Sequence, residues 1–291
     1  MKKLLYIVGC THGGTTLLHR FLGSQPAIIN LGSVANLRRV AAKNASKNCS
    51  CGLSLRECSF WRGIETSLYH ATGRKLEDLN VNSRDPAIFA TDNLQFLNAV
   101  SDASGNEYIV DSSRTAWRLQ QLHKALGPDK VVPIHIFRTP EAQINSWTRK
   151  NAKRDSFIKN NINPYSPKQI LTYYRAHIMG LRAARNFEQG LVIDYEGLCE
   201  NPARALEPLF ELLGRSLDQE KLANWGTVPH HVLGGNRMLR SATTEVRLDD
   251  GWRSELSPSR AKLVRRACTP IYQYLRRASA RTGRKSREGP I

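Results

Sequence analysis

The stretch KKLLYIVGCTHGGTTLLHRFL, residues 2–22, decides the fold of this chain of 291 residues. Residues 4–8 form an unbroken apolar run, which is typical of a strand buried on both faces of a parallel sheet. The run leads directly into the glycine-bearing segment 9–16, and apolar residues at helical spacing follow over 17–22. A strand, a tight turn and a helix in this order direct several backbone N–H groups at one point. Such a point binds an anion, usually a phosphate.

The spacing within this segment resembles the phosphate-binding P-loop G-x-x-x-x-G-K-[ST]. Gly9 and Gly14 occupy the two glycine positions and Thr16 the final hydroxyl position, but Thr15 stands where the lysine belongs. That lysine serves the β- and γ-phosphates of a triphosphate. Its loss therefore disfavours ATP and GTP and favours a nucleotide with a shorter, less charged 5′ group. The alternative is an ordinary strand-to-helix turn that needs glycine and binds nothing.

The chain is strongly basic, with 43 Lys and Arg against 25 Asp and Glu and a net charge of +18. This excess favours anionic partners such as nucleotides, sulfated substrates, nucleic acid or an acidic membrane surface. Part of the charge lies in residues 276–291, which we separate as a basic C-terminal tail from a domain over 1–275. A solvated tail is the simpler interpretation, and a peripheral contact with an acidic membrane is the functional one.

We do not expect the N-terminal residues to act as a secretory signal, because the apolar run at 4–8 is too short and the glycine segment follows at once. We therefore expect a cytoplasmic protein. Nothing in the chain approaches the length of a membrane span.

Three of the six cysteines, Cys49, Cys51 and Cys58, cluster with the spacing C-x-C-x₆-C. Such a cluster would hold zinc with a fourth ligand, but no paired C-x-x-C and no nearby histidine completes the set. A disulfide within the cluster would be unusual in a reducing cytosol. The sequence therefore favours structural or free thiols over a metal site.

Further short apolar runs at 27–31, 108–110, 131–137 and 191–193 alternate with helical segments. Strands that alternate with helices predict right-handed βαβ units. We therefore predict an α/β fold with a P-loop-like parallel β-sheet of about five strands, flanked by helices on both faces. In such folds ligands bind beyond the carboxyl ends of the strands.

A second anion site is predicted where the strand at 131–137 ends. Arg138 follows it directly, Thr139 is placed to cap the next helix with Pro140 at its first position, and Ser146 lies further along that helix. Arginine offers a planar fork to a phosphate and serine adds a donor.

The lysine-free loop and the strand–Arg-x₇-Ser segment together resemble the PAPS-dependent sulfotransferase superfamily, in particular its bacterial members. Four further segments are similar to that family: VIDYEGL at 192–198 with Asn201-Pro202, HVLGGNR at 231–237 with Trp252-Arg253, CSCG at 49–52 and ECSFW at 57–61. The resemblance implies transfer of a sulfuryl group from 3′-phosphoadenosine 5′-phosphosulfate (PAPS) to a hydroxyl or amine of a small-molecule, glycan or lipid acceptor. It implies adenosine 3′,5′-bisphosphate (PAP) as product, and no metal or nucleic acid is expected.

The resemblance also assigns roles. It implies that the 5′-phosphosulfate is held by the loop, Thr11, His12, Gly13, Gly14, Thr15 and Thr16. Arg138 and Ser146 would hold the 3′-phosphate, with Arg237 or Arg240 helping, and Tyr195 would contact the adenine.

Many members of the family carry lysine or arginine at the position of His12, where the cation stabilises the leaving phosphate. His12 would serve as that cation if an adjacent phosphate raises its pKa above the usual ~6.5. Sulfuryl transfer also needs a base for the acceptor's proton. Asp111 is the first candidate and Glu57 the second, while Asp111 would alternatively only brace a loop by hydrogen bonding. His230 and His231 are weaker candidates.

Two other functions remain open at this point. A P-loop kinase of small molecules would need a lysine in the glycine loop, and this chain has none there. A non-enzymatic binder of polyanions or of a membrane surface would use the basic tail, although no nucleic-acid-binding motif is present.

Overall fold

A computed structural model describes residues 1–43, 48–154, 167–185, 187, 189–233 and 244–285. Its centre is a five-stranded sheet in which every pairing is parallel, in the order β2-β3-β1-β4-β5. The strands are β1 (Lys3–Gly9), β2 (Ile28–Gly32), β3 (Tyr108–Arg114), β4 (Val131–Phe137) and β5 (Leu191–Asp194). Because the chain order reverses on either side of β1, a ligand crevice is expected at the carboxyl end of that strand.

Twelve α-helices in the described ranges surround this sheet. They are α1 (Thr15–Gly23), α2 (Leu37–Lys43), α3 (Ser59–Thr72), α4 (Pro86–Ser104), α5 (Ala116–Leu126), α6 (Pro140–Arg154), α7 (Pro167–Ala184), α8 (Tyr195–Glu200), α9 (Pro202–Leu212), α10 (Gln219–Ala223), α11 (Trp252–Glu255) and α12 (Pro258–Lys285). No helix in the described part of the chain is long and apolar enough to cross a membrane.

Side chains of β1 pack into two separate hydrophobic cores, one on each face of the sheet. Leu4, Tyr6 and Val8 face one core together with side chains of α3, α4 and α5, while Leu5 and Ile7 face another with side chains of α1 and α9. Since successive side chains of a strand point to opposite faces, a strand with both faces covered must be apolar throughout. The predicted α/β fold, with helices on both faces of a parallel sheet, is confirmed.

Two elements extend further than the sequence indicated. The segment 111–114, which we expected to follow the third strand, belongs to β3, because the buried Asp111 accepts hydrogen bonds from the Ser113 N–H and from Arg118. Helix α12 crosses the boundary that the sequence suggested at residue 275 and continues to Lys285. The described part of the basic tail is thus helical, and the division at 275 stays a prediction.

Candidate active site

The glycine loop between β1 and α1 is shaped by two close backbone approaches. A Cβ on Gly9 would lie 2.6 Å from the Ile136 carbonyl oxygen, and one on Gly14 would lie 2.1 Å from Cδ2 of Tyr195. Gly14 also has φ of 92° and His12 has φ of 64°, both in the left-handed region. Glycine is therefore required at the first position for space and at the second for both space and conformation.

Helix α1 presents its N-terminus without a side-chain cap or an acidic residue in its first turn. Leu17 and Leu18 donate their N–H groups to the Gly14 carbonyl, at 3.1 and 3.2 Å, so the first intrahelical bonds begin there. The N–H groups of the first turn and the positive end of the helix dipole face the loop. This geometry suits the oxygens of an anion.

Helix α6 packs on the loop through two side chains. His12 Nδ1 lies 3.1 Å from Ser146 Oγ. Gln143 Nε2 donates to the Thr11 carbonyl at 3.3 Å. The two segments that the sequence singled out separately are therefore in direct contact, with His12 at the junction.

The guanidinium of Arg138 is buried beside the loop. Arg138 is 4% exposed, and its Cζ lies 4.7 Å from the centroid of the Tyr195 ring. Tyr195 also lies against Gly14, so its ring contacts both the glycine loop and Arg138. Tyr195 is itself buried, so this geometry gives it a supporting role; the adenine contact stays a prediction. The Nε atom of Arg138 has no hydrogen-bond partner among the described residues.

A carboxylate that the sequence did not single out lies against this arginine. Arg138 Nη2 is 3.4 Å from Asp249 Oδ2 and also donates to the Asp249 carbonyl. Arg149 Nη2 donates to both carboxylate oxygens of Asp249, at 2.7 and 2.8 Å. Burial alone would raise the pKa of Asp249, but the hydrogen bond from Arg149 and the charges of both arginines hold that pKa below its ordinary value. Asp249 thus places negative oxygens at the predicted 3′-phosphate site.

The start of α6 is held differently from the expectation. The N–H and the hydroxyl of Thr139 donate to Glu196 Oε1, at 3.1 and 2.8 Å. The hydroxyl of Thr139 therefore serves Glu196 on α8, which ties the Arg138 corner to the helix that begins with Tyr195.

Asp111, the first candidate for the general base, is 1% exposed. Its Oδ2 accepts from Arg118 Nε at 3.0 Å, and its Oδ1 accepts from the N–H and hydroxyl of Ser113 at 2.8 and 2.5 Å. A carboxylate with both oxygens engaged and no exposure is a poor acceptor for a substrate proton. The geometry favours the bracing role that the sequence left open.

The remaining base candidates differ in exposure. Glu57 is exposed, and its carboxylate accepts the Ser54 N–H at 3.0 Å; hydrogen bonds from the side chain and then the backbone of Ser54 lower the pKa of Glu57. Burial lowers the pKa of His230 to about 4, so that imidazole is a weak proton acceptor. Arg237 and Arg240 lie outside the described residues.

Two further residues near the loop, Gln143 and Arg114, escaped the sequence analysis. Gln143 contacts the loop as described above. Arg114 ends β3 in the left-handed conformation with φ of 71°, and its charge lies near enough to Cys10 and His19 to act on both. The left-handed conformation of a non-glycine residue marks Arg114 as unusual, but only the structure shows it. No sequence pattern predicts this conformation.

The family model described as "Sulfotransferase family" matches residues 5–219. Among solved structures, the sulfotransferase domain from the curacin biosynthetic pathway aligns with a TM-score of 0.58 at 14% identity, covering 92% of this chain and 98% of that domain. The sulfotransferase domain of the Synechococcus PCC 7002 olefin synthase gives 0.51 at 20% identity, covering 93% and 94%. A Mycobacterium avium sulfotransferase gives 0.53 at 12% identity, covering 94% of this chain and 76% of its own. A comparison with curated protein sequences finds no significant match.

Proposed function

The chain belongs to the sulfotransferase family, and on that premise we propose that it moves a sulfuryl group from PAPS to a hydroxyl or amine of a small-molecule, glycan or lipid acceptor. One observation carries the donor assignment. The capless N-terminus of α1, at Gly14, and the buried Arg138 both lie against a single ring, that of Tyr195. Two anion sites so arranged match a nucleotide that is phosphorylated at two positions.

The 5′ end of the donor would lie in the glycine loop. Backbone N–H groups of residues 14–16 supply the donors, since the Gly13 N–H already donates to the Cys10 carbonyl at 3.2 Å, and the hydroxyls of Thr15 and Thr16 add to them. The absence of the P-loop lysine fits a 5′ group without a γ-phosphate. His12 stands at this end and shares a hydrogen bond with Ser146.

The 3′-phosphate would lie against Arg138 and Ser146. The Nε of Arg138 supports this: it has no hydrogen-bond partner in the described part of the chain, and a buried guanidinium donor without an acceptor is unfavourable. Asp249 supports it in a second way, since its carboxylate already occupies an oxyanion position beside Arg138. Arg237 and Arg240 stay as proposed helpers from the following segment.

When bound, PAPS supplies the sulfuryl group and a bisphosphate leaving group. His12 is proposed either to donate a proton to the leaving phosphate oxygen or to stabilise that oxygen with the positive charge of its imidazolium. Ser146 would orient the imidazole. Glu57 is retained as the proposed base for the acceptor's proton, and Asp111 is assigned to hold the end of β3 through Arg118. The N–H groups of α1 stabilise the charge that develops on the 5′ oxygens.

The donor proposal is tested by calorimetry with PAP and AMP, which differ only in the 3′-phosphate. PAP should bind at least ten times more tightly than AMP, and ATP with Mg²⁺ should bind no better than AMP. Equal affinities for PAP and AMP would overturn the donor assignment. Magnesium-dependent ATP turnover would instead support the kinase alternative. An acceptor screen with labelled PAPS then identifies the substrate class.

A further inference from the structure

Three cysteines and one histidine meet outside the candidate active site. The ligand atoms of Cys49, Cys51, Cys58 and His231 all lie within 4.8 Å of one another. His231 Nδ1 is 3.2 Å from Cys58 Sγ and 3.8 Å from Cys49 Sγ. The sequence disfavoured a metal because no histidine lies near the cysteines along the chain. The fold removes that objection by bringing His231 from 173 residues beyond Cys58.

We propose that these four residues form a structural zinc site. Three thiolates and one imidazole are a ligand set of structural zinc, which is tetrahedral with Zn–S of about 2.3 Å and Zn–N of about 2.0 Å. Such lengths separate the ligand atoms by roughly 3.5–3.8 Å, and the two distances to His231 Nδ1 bracket that range. Thiolate-rich tetrahedral sites select zinc over magnesium or calcium.

The backbone around the first two cysteines forms a tight turn suited to this purpose. Cys49 donates its N–H to the Leu53 carbonyl, and Gly52 donates its N–H to the Cys49 carbonyl, both at 3.0 Å. Gly52 has φ of 94°, a conformation that glycine adopts without strain. The turn brings Cys49 and Cys51 to one side, while Cys58 stands at the start of α3. The three thiols therefore converge without help from a distant element.

The histidine is held in place by bonds on both sides of it. Ser50 donates its N–H to the Val232 carbonyl at 3.0 Å, and its hydroxyl accepts the Val232 N–H at 2.9 Å. The same hydroxyl donates to the His230 carbonyl at 2.5 Å. The ring of Phe60 stacks on the ring of His231, with centroids 5.3 Å apart and planes inclined by 19°. His231 is thus fixed toward the thiols by contacts that need no metal.

Two thiols of the cluster are buried and the third, Cys51, is exposed. Cys49 and Cys58 are 0% exposed, and all three cysteines of the cluster are unpaired in the structure. A disulfide between any two would leave the third thiol and the imidazole without a partner, whereas a tetrahedral ion engages all four. With four protein ligands the ion has no open position, so its role is structural and not catalytic.

The ion would cross-link the 49–58 segment to residues 230–233. The Leu233 N–H donates to the Leu31 carbonyl at 2.9 Å, so the same segment is also tied to β2. The chain then enters the residues that carry Arg237 and Arg240. We therefore expect zinc to fix the point from which that segment departs.

The test is elemental analysis of the full chain, expressed without a polyhistidine tag and purified without chelators, then incubated with zinc and gel-filtered. Close to one zinc ion per chain is expected. Cys58→Ser and His231→Ala should each lose at least four fifths of that zinc, whereas Cys199→Ser, the matched control at a cysteine outside the cluster, should keep it.

A second measurement covers the case in which the variants do not fold. Wild-type protein exchanged into cobalt(II) should show the visible absorption bands of a tetrahedral thiolate site, and zinc should abolish them. Wild-type protein that stays metal-free after zinc incubation overturns the proposal. So does a disulfide between Cys49 and Cys58 found by mass spectrometry of the unreduced protein, or full zinc retention in a folded His231→Ala variant.

Discussion

Replacing Asp249 with asparagine should tighten the binding of PAP. The Asp249 carboxylate lies 3.4 Å from Arg138 and 2.7 Å from Arg149, where the 3′-phosphate is proposed to bind. Two charges at about 4 Å attract by about 1 kcal/mol in water and about 4 kcal/mol at an effective dielectric of 20. Because the Asp249 side chain is 36% exposed, the lower figure applies. In Asp249→Asn the 3′-phosphate no longer has to displace a carboxylate, so the binding free energy of PAP should become about 1 kcal/mol more favourable, or about fivefold in affinity.

The assay is titration calorimetry with PAP and with AMP at low and at physiological salt. The gain should be confined to PAP, because AMP lacks the 3′-phosphate, and it should shrink as salt screens the charges. Asp250→Asn is the matched control: it changes the net charge equally at an exposed neighbouring residue. If PAP binds Asp249→Asn no more tightly than it binds Asp250→Asn, Asp249 does not compete with the phosphate, and the reasoning is refuted.

Three further outcomes follow from the same geometry. Arg138→Lys keeps the charge but loses the planar fork, so PAP affinity measured by calorimetry should fall at least tenfold, while AMP affinity stays unchanged. This loss corresponds to the roughly 1.5–3 kcal/mol that a hydrogen bond to a charged group contributes. Gly14→Ala should lower the melting temperature and abolish donor binding, because its Cβ would collide with Tyr195. The control Gly105→Ala has φ of 65° and open space around it, so its free energy of unfolding, measured by chemical denaturation, should fall only by the left-handed penalty of about 1 kcal/mol. Burial and a neighbouring glutamate raise the pKa of Asp194 to about 7. Between about pH 4 and 7 the folded protein therefore holds a proton that the unfolded chain has released, so the free energy of unfolding falls as the pH rises. Asp194→Asn should accordingly raise the melting temperature more at pH 8 than at pH 5.

Much of the fold could be predicted because its signals are local. A strand covered on both faces must be apolar at every position, so β1 and β4 are visible as continuous runs. The end of β3 was missed for the converse reason. Asp111 and Ser113 look like loop residues in sequence, but one buried hydrogen-bond network with Arg118 on α5 satisfies their polar groups inside the sheet. Which polar groups find partners depends on the fold itself.

In the candidate site, too, local features were predictable from the sequence and long-range contacts were not. The glycine loop and the Arg138–Ser146 segment are contiguous stretches whose spacing carries their geometry, and the structure brings them within 3.1 Å at His12. Asp249 was missed because it reaches the site from more than 100 residues away. A single carboxylate in a loop has no spacing that marks it.

The two proposed anion sites use different kinds of hydrogen-bond donor, so substitutions at them should affect stability and ligand affinity differently. The glycine loop is built from backbone: its donors are N–H groups, and its shape depends on Gly9 and Gly14 contacting Ile136 and Tyr195. A substitution there changes the packing of the sheet and the binding site together, so stability and affinity should fall in parallel. The Arg138 site is built from side chains, and its guanidinium can be altered while the backbone stays in place. Changes there should therefore alter affinity for the 3′-phosphate with a smaller effect on stability, and a loop variant that lost affinity at unchanged stability would contradict this distinction.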